Sequence, residues 1–242
     1  MAAPPNGELL SVPALNLLQG KREILNVPSS LVRDVRYRFN PEAGALMLAE
    51  DGRREHDAVL GGFDYRTHSQ PGWNLLYSPE WRKYDDKWEL HFGKGAGLFL
   101  GPPLFSRNAF TIELDVAFDD VKEQTLLDVI GGRLPVQLKD GRLIGSITTG
   151  KQTFKWSASE EIIIAPKRFY NIVLQYDLER LTCLLDGKKV ASIAVSGTFS
   201  DGWCLCIGGA PINAAKSTQK GDKPNMGFNF RGAVRSLRIC NY

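Results

Sequence analysis

The sequence predicts an all-β protein, a sandwich of two antiparallel sheets, and three observations carry that prediction. Two Asp-Gly pairs separate alternating segments, in LKDGRLIGSI (138–147) and LLDGKKVASI (184–193). A type I′ hairpin turn needs positive φ at both central residues, which Asp-Gly supplies. FTIELDVAF (110–118) and FYNIVLQYD (169–177) alternate apolar and polar residues, the period of a strand with one buried face. No stretch of about twelve residues has the periodicity of an amphipathic helix. Many short strands broken by regular turns assemble as a sandwich or jelly roll.

Taken in order, residues 1–32 mix prolines and apolar residues without a clear period and read as a linker or edge extension. From residue 33 short apolar runs alternate with turn signals to the end, so 33–242 is read as one domain. WCLCIGG (203–209) and FRGAVRSLRICNY (230–242) add strands to the two hairpins. A chain of 242 residues is long enough for one large β domain.

Several function classes are excluded early. The formal charge is +3, with Lys and Arg scattered, so there is no nucleic-acid footprint. No run of apolar residues is long enough to span a membrane as a helix. The opening MAAPPNGELL lacks the basic and apolar regions of a signal peptide. Cys183, Cys204, Cys206 and Cys240 form no Cys-x-x-Cys and have no histidine nearby, which argues against zinc. They are expected mainly as reduced, buried thiols, although an even number permits disulfides in three pairings.

Three groups of residues are candidates for chemistry. Glu113 and Asp115 share one strand face at roughly 6–7 Å, a separation used by paired carboxylates in glycosidases. Asp51, Glu55 and Asp57 crowd DGRREHDAVLGG, where three carboxylates can hold Ca²⁺, without the rhythm of an EF-hand loop. Trp73, Trp81 and Tyr84 lie in PGWNLLYSPEWRKYDDKWELHFG, a polar stretch broken by Pro and Gly. This reads as a loop with partly exposed rings, with Arg82 and Asp85 beside them as polar partners. Exposed rings of this kind stack on the C–H faces of sugars, and loops on a rigid scaffold concentrate binding residues. Trp156 shares parity with Phe154 and is expected to face the core, and His91 is expected to point outward. No Ser-His-Asp set or phosphate loop can be assembled.

The order of segments resembles the laminin-G-like jelly rolls of the concanavalin A-like lectin/glucanase superfamily. The segments that carry the resemblance are VRYRFNPEAG…DGRREHDAVLGG (35–62), WELHFGKGAGLFLGPPLFSRNAFTIELDVAF (88–118), RFYNIVLQYDLERLTCLLDGKKVASIAVSG (168–197) and GFNFRGAVRSLRICNY (227–242). The resemblance covers 33–242 and implies a two-sheet β-sandwich. It also implies a site class, since glucanases of this superfamily carry Glu-x-Asp-x-Glu or Glu-x-Asp-x-x-Glu on one strand. Glu113 and Asp115 fill the first two places, but the third is Ala117 or Phe118, and Asp119 is out of register. Without a proton donor a retaining mechanism fails. The expectation is therefore a non-catalytic, lectin-like module that binds carbohydrate, part of a secreted, periplasmic or surface bacterial protein. The alternatives are a glycoside hydrolase of the same superfamily, or a module that binds a surface protein and no sugar. Calcium is the one cofactor to be considered.

Overall fold

The computed structural model describes residues 33–241, except 42–46, 51–57, 64–72, 75–77, 94, 101–108, 130–131, 200–204 and 210–228; for residues 33, 47–50, 59, 62–63 and 73–74 it describes the backbone. The described elements are strands, all paired antiparallel in two sheets.

The front sheet runs in the order β5 (Glu80–Tyr84), β6 (Lys87–Phe92), β17 (Gly232–Asn241), β8 (Phe110–Phe118), β13 (Phe169–Tyr176), β14 (Arg180–Leu185) and β15 (Lys188–Ala194). β1 (Arg33–Arg38) joins the far end of β17, on the edge that β6 leaves open. The back sheet runs β12 (Gln152–Ser157), β11 (Arg142–Thr149), β10 (Val136–Lys139), β9 (Gln124–Val129), β16 (Leu205–Ile207), β7 (Ala96–Leu100) and β3 (Ala58–Phe63). β2 (Met47–Glu50) and β4 (Trp73–Asn74) both pair with β3, and β2 also reaches β1.

The core lies between the sheets and is built by alternation. From β8 it takes Phe110, Ile112, Leu114, Val116 and Phe118, and from β13 Tyr170, Ile172, Leu174 and Tyr176. The back sheet answers with Leu98, Leu127, Val129, Val136, Leu138, Ile147, Leu205 and Ile207. Each side chain is buried on its inner face because one register step would turn the whole set to water. Trp156 belongs to this core, as its parity with Phe154 requires. Its ring lies across Gly145, its partner on β11.

Both Asp-Gly turns form as expected. Asp140 and Gly141 take φ of 52° and 75°, and Asp186 and Gly187 take 50° and 76°. Asp186 also ties its turn to β13, accepting hydrogen bonds from Asn171 N at 2.9 Å and Arg168 Nη2 at 2.7 Å. A side chain at Gly187 meets no atom within 4 Å, so backbone strain alone resists substitution. Gly187→Val is expected to lower stability by about 1 kcal/mol. An unchanged urea midpoint would show that positive φ carries no penalty there.

The stretch read as an aromatic loop is instead a hairpin. Residues 80–92 form β5 and β6 around Asp85 and Asp86, whose φ values are 45° and 62°. Aspartate tolerates the left-handed region because its short side chain bonds locally, so Asp-Asp replaces Asp-Gly in this turn.

Cys183, Cys206 and Cys240 are free and buried; Cys204 lies outside the described residues. Cys183 is a core residue, and burial pushes its thiol up to about 12. Cys206 and Cys240 are buried on the side of their strands opposite to the neighbouring core residues.

Candidate functional site

Of the charged side chains singled out in the sequence, Glu113, Asp115 and Arg82 lie on the outer face of the front sheet. Glu113 and Asp115 project from β8 onto this face, as alternation requires. Asn171, directly across on β13, donates from Nδ2 to both carboxylates, at 3.1 Å to Glu113 Oε1 and 2.9 Å to Asp115 Oδ1. On the other flank, β17 places two arginines. Arg238 Nη1 stands 3.9 Å from Glu113 Oε2, and Arg235 Nε stands 3.7 Å from Asp115 Oδ2.

Arg235 reaches this position through a β-bulge. The register shifts between Val234 and Ser236, leaving Arg235 as the extra residue. A bulge of this kind sets two residues against one on the partner strand and redirects a side chain. The Arg235 guanidinium lies over the ring of Phe169 at 4.1 Å to the centroid. The Ser236 hydroxyl accepts from Asp115 N at 3.2 Å.

Arg238 is shared with β1. Its Nε and Nη2 grip both oxygens of Asp34 at 2.8 Å each, and the Cys240 thiol donates to Asp34 Oδ1 at 3.3 Å. Burial raises the Asp34 carboxyl, but the Arg238 and Cys240 hydrogen bonds outweigh it and hold it below its ordinary value. The hydrogen bond to Asp34 raises Arg238 in turn, and burial, with the Asp34 charge next, pushes Cys240 up to about 12. The bidentate geometry fixes the guanidinium plane over the sheet.

The place where a glucanase of the resembled type carries its proton donor holds Ala117. Across the sheet its row reads Phe169, Ala117, Ala233 and His91. Two buried alanines thus separate an aromatic ring from an imidazole along this row. His91 is outward as expected, its Nε2 at 3.2 Å from Asp119 Oδ2. The arrangement supplies hydrogen-bond donors (Arg235, Asn171) and acceptors (Glu113, Asp115), a set suited to a polyhydroxylated ligand. It offers Ala117 no proton to transfer.

The aromatic candidates divide between the two faces. Trp81 pairs with Leu90 and faces inward, packing edge-on against Phe39 at 6.3 Å and Trp88 at 6.5 Å. It is half-buried against the core, a hairpin anchor rather than a loop ring. Arg82 and Tyr84 face outward on the same side as Glu113, Arg82 bonded to Glu80 at 3.0 Å and Tyr84 at 68% exposure. Asp85 is a turn residue. Trp73 is described only as backbone in β4, and Asp51, Glu55 and Asp57 lie outside the described residues. Among the described residues no group of His, Cys, Asp and Glu is arranged to hold a metal.

Asn171, Arg235 and Arg238 were not singled out by sequence, though a signal exists for Arg235. In GAVRSLRIC the apolar residues Val234, Leu237 and Ile239 are spaced three and then two apart. An interval of three inside a period-two strand marks a bulge.

This two-sheet antiparallel architecture is a β-sandwich of the jelly-roll type. No protein-family model matches the sequence, and no curated protein matches it. Solved structures do. The binding domain of Paraclostridial Mosquitocidal Protein 1 is similar at TM-score 0.56 and 11% identity, covering 87% of this chain and 48% of that one. The botulinum neurotoxin serotype C1 binding domain is similar at TM-score 0.55 and 9% identity, covering 85% and 47%. This chain therefore spans about half the length of those toxin domains. Domain 4 of AbnA, an extracellular arabinanase of Geobacillus stearothermophilus solved with arabinotriose, is similar at TM-score 0.52 and 13% identity, covering 86% of this chain and 93% of that domain. At these identities the likeness is one of fold. Among the described residues no helix is long and apolar enough to cross a membrane.

Proposed function

We propose that the chain is a non-catalytic carbohydrate-binding module, with its site on the outer face of the front sheet around Arg235, Phe169, Asn171, Glu113 and Asp115. The observation that carries this reading is the occupancy of the two carboxylates. Both are engaged by one amide and flanked by arginines, and the third place on their strand is an alanine. A retaining hydrolase needs one free nucleophile and one proton donor at that separation. A binding face needs fixed donors and acceptors beside an apolar ring. The arabinotriose complex of a domain of similar length supports a sugar ligand, and that protein's extracellular setting supports an exported one. Arg82 and Tyr84 extend the same face toward the β5–β6 turn. A calcium site at Asp51, Glu55 and Asp57 remains part of the proposal.

A second reading, a protein-binding module, is favoured by one observation: a structure of similar fold is a botulinum neurotoxin binding domain in complex with synaptotagmin II. A glycan array probed with the full chain, with calcium and with chelator, separates the two readings. Binding to one glycan class is expected, and Arg235→Ala should weaken it by about tenfold, the loss of one charge-assisted contact. Blank arrays under both conditions would remove the carbohydrate reading. Release of reducing ends that disappears in Glu113→Gln would make the chain an enzyme.

A further inference from the structure

We infer that the site on the front sheet's outer face takes a neutral sugar with adjacent free hydroxyls and turns away uronic, sialylated and sulfated ones. The inference rests on the reading of that face as a carbohydrate site and names the ligand class the site selects. The polar atoms left open decide the class. Asn171 faces two carboxylates, so its amide nitrogen points at them, and its N–H groups are engaged by Glu113 Oε1 and Asp115 Oδ1. Asn171 Oδ1 is left as an acceptor. Glu113 Oε2 and Asp115 Oδ2 are left as acceptors too, because the arginine nitrogens that approach them stand 3.9 Å and 3.7 Å away, beyond hydrogen-bond reach. Arg238 has little to offer a ligand: its Nε and Nη2 are closed on Asp34, and its side chain is 16% exposed. Donors remain on Arg235, whose side chain is 37% exposed, and on the Ser236 hydroxyl. Among the described residues, Arg235 Nη1 and Nη2 have no acceptor; the guanidinium meets only Asp115, through Nε, and the Phe169 ring.

A ligand that fills this set must both give and take hydrogen bonds. A hydroxyl does both, whereas a carboxylate or sulfate only accepts and leaves Glu113 Oε2, Asp115 Oδ2 and Asn171 Oδ1 without a donor. Two adjacent hydroxyls on one ring meet the set together: one donates to Asp115 Oδ2 while its neighbour accepts from an Arg235 Nη. The charges agree. Among the described residues the cluster holds three carboxylates, Asp34, Glu113 and Asp115, and three guanidiniums, Arg36, Arg235 and Arg238. The set is balanced, so no cation is left over to neutralise an added anion. That anion would stand beside Asp115, whose outer oxygen no cation hydrogen-bonds. Salt screens this repulsion only in part, because the Glu113 and Asp115 side chains are each 28% exposed. An added cation meets the Arg235 charge in the same way.

The test is a matched glycan array probed with the full chain. Each neutral oligosaccharide is printed beside counterparts that carry a uronic acid, a sialic acid or a sulfate. The parent is expected to bind one neutral class at least about tenfold better than its acidic counterparts. Asp115→Asn keeps an acceptor for Asn171 and removes the charge, so the preference should shrink by about tenfold. Glu113→Gln should shift it in the same direction, and it carries the test if Asp115→Asn does not fold. Acidic counterparts bound as well as the neutral ones, or better, would overturn this inference and leave the carbohydrate reading standing. So would a preference that neither variant changes, since the carboxylates would then not set it. Arrays blank for neutral and acidic glycans alike would remove the carbohydrate reading itself, and this inference with it.

Discussion

Replacing Trp156 with alanine is expected to lower the unfolding free energy by about 3–5 kcal/mol. The ring sits on β12, the edge strand of the back sheet, at 6% exposure and within the core. Gly145 opposite leaves the space it fills: a methyl group there would stand 2.6 Å from Trp156 Cζ2 and 2.5 Å from Pro135 O. Ring and glycine are therefore one packing unit, and alanine at 156 leaves a void that an edge strand closes only in part. Gly145→Val should be destabilising for the converse reason, overpacking against the same ring. The indole Nε1 is buried with no hydrogen-bond partner among the described residues. Trp156→Phe removes that donor and keeps most of the ring, so its loss should be well under half that of alanine. Urea denaturation of the three variants checks this. An alanine variant as stable as the parent would place Trp156 outside the core.

The fold was legible because the sequence is locally consistent with it. In FTIELDVAF and FYNIVLQY every second residue is apolar, and each of those residues is buried in the core. The Asp-Gly pairs announced two hairpins by a requirement on φ that few other pairs meet. The β5–β6 hairpin was missed because Asp85-Asp86 meets the same requirement less visibly. A loop would leave Trp81 exposed, whereas its register with Leu90 turns it inward. The site was legible only along β8. Sequence places Glu113 and Asp115 on one face, but it cannot say which strands flank them. Asn171 lies 56 residues beyond Asp115, and Arg235 and Arg238 follow still later. Only the front sheet's strand order makes them neighbours.

Asp128, one polar residue in a short apolar strand, lies on β9 opposite Cys206 on β16, at 2% exposure. Burial pushes its carboxyl up to about 7, although backbone N–H groups of Leu134 and Val129 pull the other way. The Leu134 N–H donates to its Oδ1 at 3.1 Å and fixes the chain entering β10. In the unfolded chain the same carboxyl titrates near its ordinary value of 3.8. Between these two values the folded state binds more protons than the unfolded state, so stability falls as pH rises. The penalty is absent below about pH 4 and complete above about pH 7. At about 1.4 kcal/mol per unit of pKa difference, it amounts to about 4 kcal/mol at most. Asp128→Asn keeps an acceptor for the Leu134 N–H and removes the charge. The variant should therefore match the parent near pH 4 and exceed it by several kcal/mol at pH 8, a gap of about 4 kcal/mol at the limit. Denaturant midpoints measured from pH 4 to pH 8 on both proteins give the answer. Curves that run parallel across that range would show that Asp128 ionises in the folded chain as readily as in water.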